Sequence, residues 1–200
     1  MALPIEDYAL IGDTHTAALV GRDGSINWAP FPRFDSGACF AALLGTPDNG
    51  RWRVAPRQGK ALQRRYLPGT MVLETMFEAP GGKVRVLDFM PVRDGVPNIV
   101  RISEGVEGEV EMEVELVMRF DYGRTVPWVR KQDHTLTAIA GPDGIYGNGD
   151  DCTGPGPDPG MSAITYDTSG GGNHDTVYCS DAISQALNGL PFEIVDFRQR

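Results

Sequence analysis

An all-β fold, an antiparallel sandwich, is what this sequence predicts, and three observations carry the prediction. Short apolar runs recur with Gly, Pro and Asn between them. Between Gly45 and Pro142 no stretch of ten or more residues has a helical period. From Glu109 to Phe120 the chain alternates strictly: Val110, Met112, Val114, Leu116, Met118 and Phe120 share one face, and Glu109, Glu111, Glu113, Glu115 and Arg119 the other. Alternation of that length is the mark of a strand with one buried and one wet face. Many strands at short spacing with turn signals between them pack as two antiparallel sheets.

The elements follow in order. Residues 16–20 are an apolar strand, Arg22-Asp23-Gly24 supplies a tight turn, and residues 25–28 open a second strand, so the two pair as a hairpin. Pro30 and Pro32 lack the amide hydrogen a ladder needs, which predicts a loop over 29–35. Asp35-Ser36 stand where a helix N-cap would, and residues 38–44 carry Cys39 with Leu43 and Phe40 with Leu44 at spacings of four, predicting one short helix ended by Gly45. Strands are predicted at 52–55, 64–67 and 71–78. Pro80-Gly81-Gly82 then turns the chain into 83–90, completing a hairpin, and further strands fall at 99–104, 109–120, 125–130 and 135–140. The alternating glutamates are expected to face Arg or Lys on neighbouring strands.

Beyond residue 143 the composition changes. Residues 144–175 are dense in Gly, Pro, Asp, Ser and Thr, a make-up that buries too little apolar surface to offset the entropy of ordering. The prediction is therefore a domain over 1–143 and a largely irregular tail over 144–200, with a short helix at 182–187 and a strand at 191–197.

Composition narrows the function classes. The 200-residue chain has 18 basic and 27 acidic residues and a net charge of -9. That balance argues against nucleic acid or an anionic membrane as partner, because phosphate binding needs clustered Lys and Arg. The first residues carry no basic region followed by an apolar run of signal length, and no segment approaches a membrane span, so a cytoplasmic location is expected. Three cysteines, Cys39, Cys152 and Cys179, without a CxxC spacing fit reduced thiols, Cys39 being a core residue. No metal or organic cofactor is implied. Asp13-x-His15 offers too few converging ligands for a metal, and the reading preferred is structural, with Asp13 on turn amides and His15 buried.

Several irregular words resemble the N-terminal domain of glycoside hydrolase family 15 proteins, the bacterial trehalase and glucoamylase-like enzymes. They are IEDYALIGDTHTAALVGRDGSINWAPFPRFDSGACFAALL from residue 5 and then, in order, RWRVAP, RRYLPGTMVLETMF, VRVLDFMP, RFDYGRTVPWVR and LTAIAGPD. The likeness covers roughly residues 3–143. Asn27 stands where the family usually has an acid, Ala29-Pro30 replace the pair that follows, and Gly37 replaces a proline. The resemblance implies a sandwich of the super-sandwich type joined to a barrel of paired helices that holds the two carboxylates of inverting hydrolysis. That (α/α) barrel, missing here or separately encoded, is the implied partner, and the chain alone is expected to be inactive. A truncated or frameshifted gene, a fused segment and a divergent member remain equal explanations of the tail. The one candidate ligand site is the loop bearing Trp28, Phe31, Arg33, Phe34 and Asp35, since sugars stack apolar ring faces on aromatics and bond their hydroxyls to charged groups. The competing reading makes the same aromatics staples that fix the loop to the sandwich.

Overall fold

A computed structural model describes residues 2–93, 97–132, 135–140, 162–167 and 174–179. The chain forms two antiparallel sheets. The first contains β1 (Tyr8–Gly12), β2 (Ala17–Gly21), β3 (Ser25–Pro30), β5 (Arg51–Pro56) and β10 (Met112–Val117) in the order β1-β2-β3-β5-β10, with β4 (Ala38–Phe40) paired to β3. The second has the order β11-β12-β13-β14-β9-β8-β7-β6, built from β6 (Lys60–Tyr66), β7 (Leu73–Ala79), β8 (Gly82–Phe89), β9 (Asn98–Gly108), β11 (Trp128–Gln132), β12 (Thr135–Ala140), β13 (Ser162–Asp167) and β14 (His174–Cys179).

Their inner faces bury one core. Ile11, Val20, Ile26, Phe40, Trp52, Val54 and Leu116 come from the first sheet, and Leu73, Phe77, Val84, Val86, Ile99 and Leu136 from the second. The expected turns are present. Gly24 N–H donates to the Gly21 carbonyl across the β2–β3 turn, and the Asp23 side chain accepts from the Ser25 amide at 3.0 Å and from the Ser25 hydroxyl. Gly24 has φ +80°, and a Cβ there would run into the carbonyl oxygen of Val54. Both facts restrict that position to glycine. Pro80-Gly81 joins β7 to β8, with Gly81 at φ +107°.

The glutamate face has the predicted partners. Arg51 and Arg53 of β5 pair diagonally with Glu115 and Glu113 of β10, and Arg57, just beyond β5, pairs with Glu111, whose carbonyl also accepts from the Arg57 amide.

Alternation also sends charge inward. Asp88 lies in phase with the buried Val84 and Val86, and Arg101 in phase with buried Ile99 and Ser103. The two are directly opposite in the β8–β9 ladder, and both side chains are sealed from solvent. Arg101 Nε donates to Asp88 at 2.7 Å, Nη1 to the Trp52 carbonyl at 2.8 Å and Nη2 to the Gly24 carbonyl at 2.8 Å, with the guanidinium 5.1 Å from the Trp52 ring centre. One side chain of the second sheet thus satisfies two carbonyls of the first, while its acid neutralises the charge.

Two sequence expectations are corrected. Residues 38–44 do not form a helix: 38–40 are β4, hydrogen-bonded to β3, and a single 3₁₀ turn follows at Ala42–Leu44. The spacing of four does not mark one buried face: Cys39 and Phe40 lie in the core with the rest of β4, whereas Leu44 is exposed. The loop expected from residue 29 starts later, because β3 continues through Ala29 and Pro30. Its ladder shifts register there, an irregularity that lets proline end a strand. Of the tail expected over 144–200 the described residues are 162–167 and 174–179, which are β13 and β14 and lie in the second sheet between β12 and β9. Without them two long ladder edges would stand open, and their Ile, Thr, Val and Tyr residues suit strands. The helix expected at 182–187 and the strand at 191–197 lie outside the described residues, as do Cys152 and the residues around it.

Candidate functional site: the loop end of the sandwich

Where β3 leaves the sheet, the chain makes an irregular passage over residues 31–37 that three other segments clamp. The Phe34 amide donates to the His15 carbonyl at 3.1 Å. Arg93, just past β8, donates Nη2 to the Pro32 carbonyl at 2.7 Å. From the far side, Tyr122 places its ring 5.9 Å from that of Trp28 at 31° and its hydroxyl 3.4 Å from the Ser36 carbonyl. Within the passage, Ser36 N–H donates to the Arg33 carbonyl, the Arg33 amide donates to the Ser36 hydroxyl, and the Phe31-Pro32 peptide is cis.

The five predicted site residues divide into two groups. Phe31 belongs to the core and Trp28 is half-buried against Tyr122. Arg33, Phe34 and Asp35 are exposed, with Phe34 at 61% and Arg33 paired to Asp35 at 3.0 Å. The aromatics split between fixing the loop and facing outward, because a loop crossing the end of a sandwich has one side on the core and one in water.

Asp13 anchors this end. It is buried, accepts from the amides of His15 at 2.9 Å and Thr16 at 2.8 Å, and pairs with Arg93 at 2.7 Å. Burial alone pushes the Asp13 carboxyl up. The Arg93 hydrogen bond, the Thr16 and His15 amides and the Arg93 charge outweigh it and leave the pKa below the ordinary value. The expected role of Asp13 on turn amides is present, whereas His15 is exposed and not buried, following Thr14 at φ +76° in the β1–β2 turn. Among the described residues no three His, Cys, Asp or Glu side chains gather to hold a metal ion.

Asn27 is buried and donates to the Tyr8 hydroxyl at 3.1 Å, while its side-chain oxygen has no partner among the described residues.

Sequence reasoning missed Tyr122, Arg93 and Arg119 as parts of this end. Tyr122 and Arg119 stand in the irregular word RFDYGRTVPWVR, whose departure from strand alternation was the available signal. Arg93 carried none.

Two antiparallel sheets with a reinforced loop end and an arginine-paired acid network define an all-β, sandwich-like domain. More particularly, the chain belongs to the trehalase-like N-terminal domain family, whose model matches residues 1–146. It is 35% identical to trehalase 1 of Sulfolobus acidocaldarius over 133 residues, 66% of this chain and 22% of that protein. Trehalase 2 of the same organism is 32% identical over 117 residues, 58% of this chain and 19% of the relative. The trehalase of Mycobacterium tuberculosis is 30% identical over 142 residues, 60% and 21% of the two chains. The chain thus spans about a fifth of the length of these relatives. No solved structure matches it significantly. Among the described residues no helix is long and apolar enough to cross a membrane.

Proposed function

We propose that this chain provides the non-catalytic N-terminal domain of a family 15 glycoside hydrolase that cleaves an α-glucosidic bond with inversion, trehalose being the first substrate and a maltosaccharide, as for a glucoamylase, the alternative. The observation that carries this reading is the match of residues 1–146 to the N-terminal family model, beside relatives named trehalases that are about five times longer than the aligned part. Inversion needs an acid on the leaving oxygen and a carboxylate that activates water on the opposite face. Acids of this fold have other duties: Asp13 holds Arg93, Asp88 holds Arg101, Glu74 holds Arg65, and the β10 glutamates hold the arginines of β5. The two-carboxylate chemistry therefore belongs to a separate domain, the barrel of paired helices. A domain boundary near residue 143 accords with the family match ending at 146, although β13 and β14 extend the second sheet beyond it.

Incubated with trehalose, the purified 200-residue chain releases no glucose above the buffer rate. Turnover that tracks with the protein through successive purification steps would overturn the non-catalytic assignment.

The exposed part of the loop supports a second role for it. In the assembled enzyme Arg33, Phe34 and Asp35 rim the sugar pocket, and Trp28 and Phe31 hold the loop from beneath. Alone, the chain lacks the opposite wall, so calorimetric titration with trehalose or maltose gives no heat. A saturable heat that disappears in Trp28→Ala would establish instead a free-standing carbohydrate-binding module.

A further inference from the structure

The first sheet ends at β1, and among the described residues no strand pairs with it beyond β2. The Asp7 carbonyl accepts from the Arg22 amide and the Asp13 amide donates to the Thr16 carbonyl, and these two bonds bracket a regular β1–β2 register. Residues 9 and 11 therefore turn their ladder groups to β2, while Tyr8, Leu10 and Gly12 turn theirs outward. Such a row is a template for another strand, and proteins blunt it with charged side chains, proline or a bulge. Residues Tyr8–Gly12 contain no charge, no proline and no register shift.

The protection comes from the other sheet. Tyr66, at the end of the edge strand β6, reaches across: its hydroxyl accepts from the Leu10 amide at 3.0 Å and donates to the Leu10 carbonyl at 2.7 Å. One phenol thus makes the pair of bonds that a residue opposite Leu10 in a ladder would make. Two residues earlier on the same strand, Arg64 donates Nη1 to the Asp7 carbonyl at 2.7 Å and to the Val20 carbonyl at 3.2 Å. The ladder partners of Arg64 and Tyr66 on β7 are the buried Thr75 and Leu73, so both side chains leave the inner face of the second sheet and close the seam to the first. The Tyr8 amide is occupied too, donating to the Ile5 carbonyl to close a 3₁₀ turn.

We infer that Tyr66 is an autoinhibitory strap, which holds the ladder position of β1 against strand addition by a second copy of this chain. The strand itself selects that partner. Leu10 is the middle residue of β1, so a two-fold axis through it sets β1 antiparallel to its own copy, with Tyr8 opposite Gly12 and Ala9 opposite Ile11. In that register no charges oppose one another. Ala9 and Ile11 of both copies stay on the core side, and the Leu10 side chains, 45% exposed, meet on the outer side. Tyr66 is itself 41% exposed, so releasing it opens no core.

The test is sedimentation equilibrium on the full 200-residue chain and on Tyr66→Phe, which keeps the ring and removes the hydroxyl. A five-residue strand pair is a small contact, so the concentration series extends to about 1 mM, the range of weak transient association. Across it the wild type keeps the mass of one chain, and the mass of Tyr66→Phe rises towards that of two. Adding Leu10→Pro to Tyr66→Phe returns the mass to one chain. The amide that proline removes faces away from β2, so the sheet loses no ladder bond while the opened edge loses a donor. Should that pair of changes unfold the chain, Leu10→Lys, which sets like charges opposite each other, takes the place of Leu10→Pro. A Tyr66→Phe that stays monomeric, a wild type that dimerises equally, or association undiminished by the change at Leu10 would each overturn the inference. So would loss of the cooperative urea transition in Tyr66→Phe, which would make the hydroxyl a structural contact alone. No arm involves a sugar, so the trehalose test is read separately.

Discussion

Arg101→Met lowers the unfolding free energy by about 4 kcal/mol, read from urea titrations, within the range for removing one partner of a buried ion pair. Two losses combine in that figure. Asp88 is left without its partner with its side chain 1% exposed, and the carbonyls of Trp52 and Gly24 lose the donor that reached them from the other sheet. A single domain has a total stability of about 5–15 kcal/mol, so the variant stands near the threshold of folding. Asp88→Leu combined with Arg101→Met recovers part of the loss, because the stranded acid is gone, and the unrecovered part measures the carbonyl clip between the sheets. A single variant within about 1 kcal/mol of the wild type would show that this pair does not hold the sheets together.

Asp13→Ala costs about 3 kcal/mol, at the lower end of the same range because the Arg93 side chain keeps 11% exposure and can turn to water. It also changes the response to acid. Asp13 titrates below its ordinary value in the folded chain. A carboxyl depressed by folding contributes stability that is fully present above its unfolded pKa, about 3.9, and is lost as the pH falls through the lower folded value. The wild type therefore weakens below about pH 4, and Asp13→Ala weakens less steeply across that interval. Parallel stability curves for the two proteins below pH 4 would show that Asp13 is not the acid-sensitive anchor of the loop end.

Both sites sat in plain view as residue types and were invisible as pairs. Asp88 and Arg101 could have been placed inward from their phase with Val84, Val86 and Ile99, since alternation assigns a face whether or not the side chain is apolar. Their pairing required the β8–β9 register. The arginines opposite the glutamates of β10 were expected in kind, because a like-charged strand face needs opposite charge beside it. Which arginines, Arg51, Arg53 and Arg57, depended on β10 reaching across to β5 from some 60 positions away.

The loop end was half legible. Trp28, Phe31, Arg33, Phe34 and Asp35 could be named as a group from aromatic and charged residues around two prolines. Which rings face the core and which face solvent was set by Arg93 and Tyr122, both distant in sequence. The helix expected over 38–44 failed for a related reason: three buried residues can be covered by a helical face or by a pairing strand, and only β3, already in place, settled it. Likewise the Thr and Tyr residues of β13 and β14 sit in polar, glycine-rich surroundings, and the open edges of β12 and β9 drew them into the sheet.

By itself the sequence determined the sandwich, the β2–β3 and β7–β8 hairpins, the strand β10 with its wet and dry faces, and the family, because alternation, turn residues and irregular words act within a few residues of one another. Tertiary structure alone decided that Arg101 joins the sheets and that Asp13 is sealed beneath the loop. Those outcomes depend on which distant groups arrive within about 3 Å, a distance set by sheet packing and encoded in no local pattern.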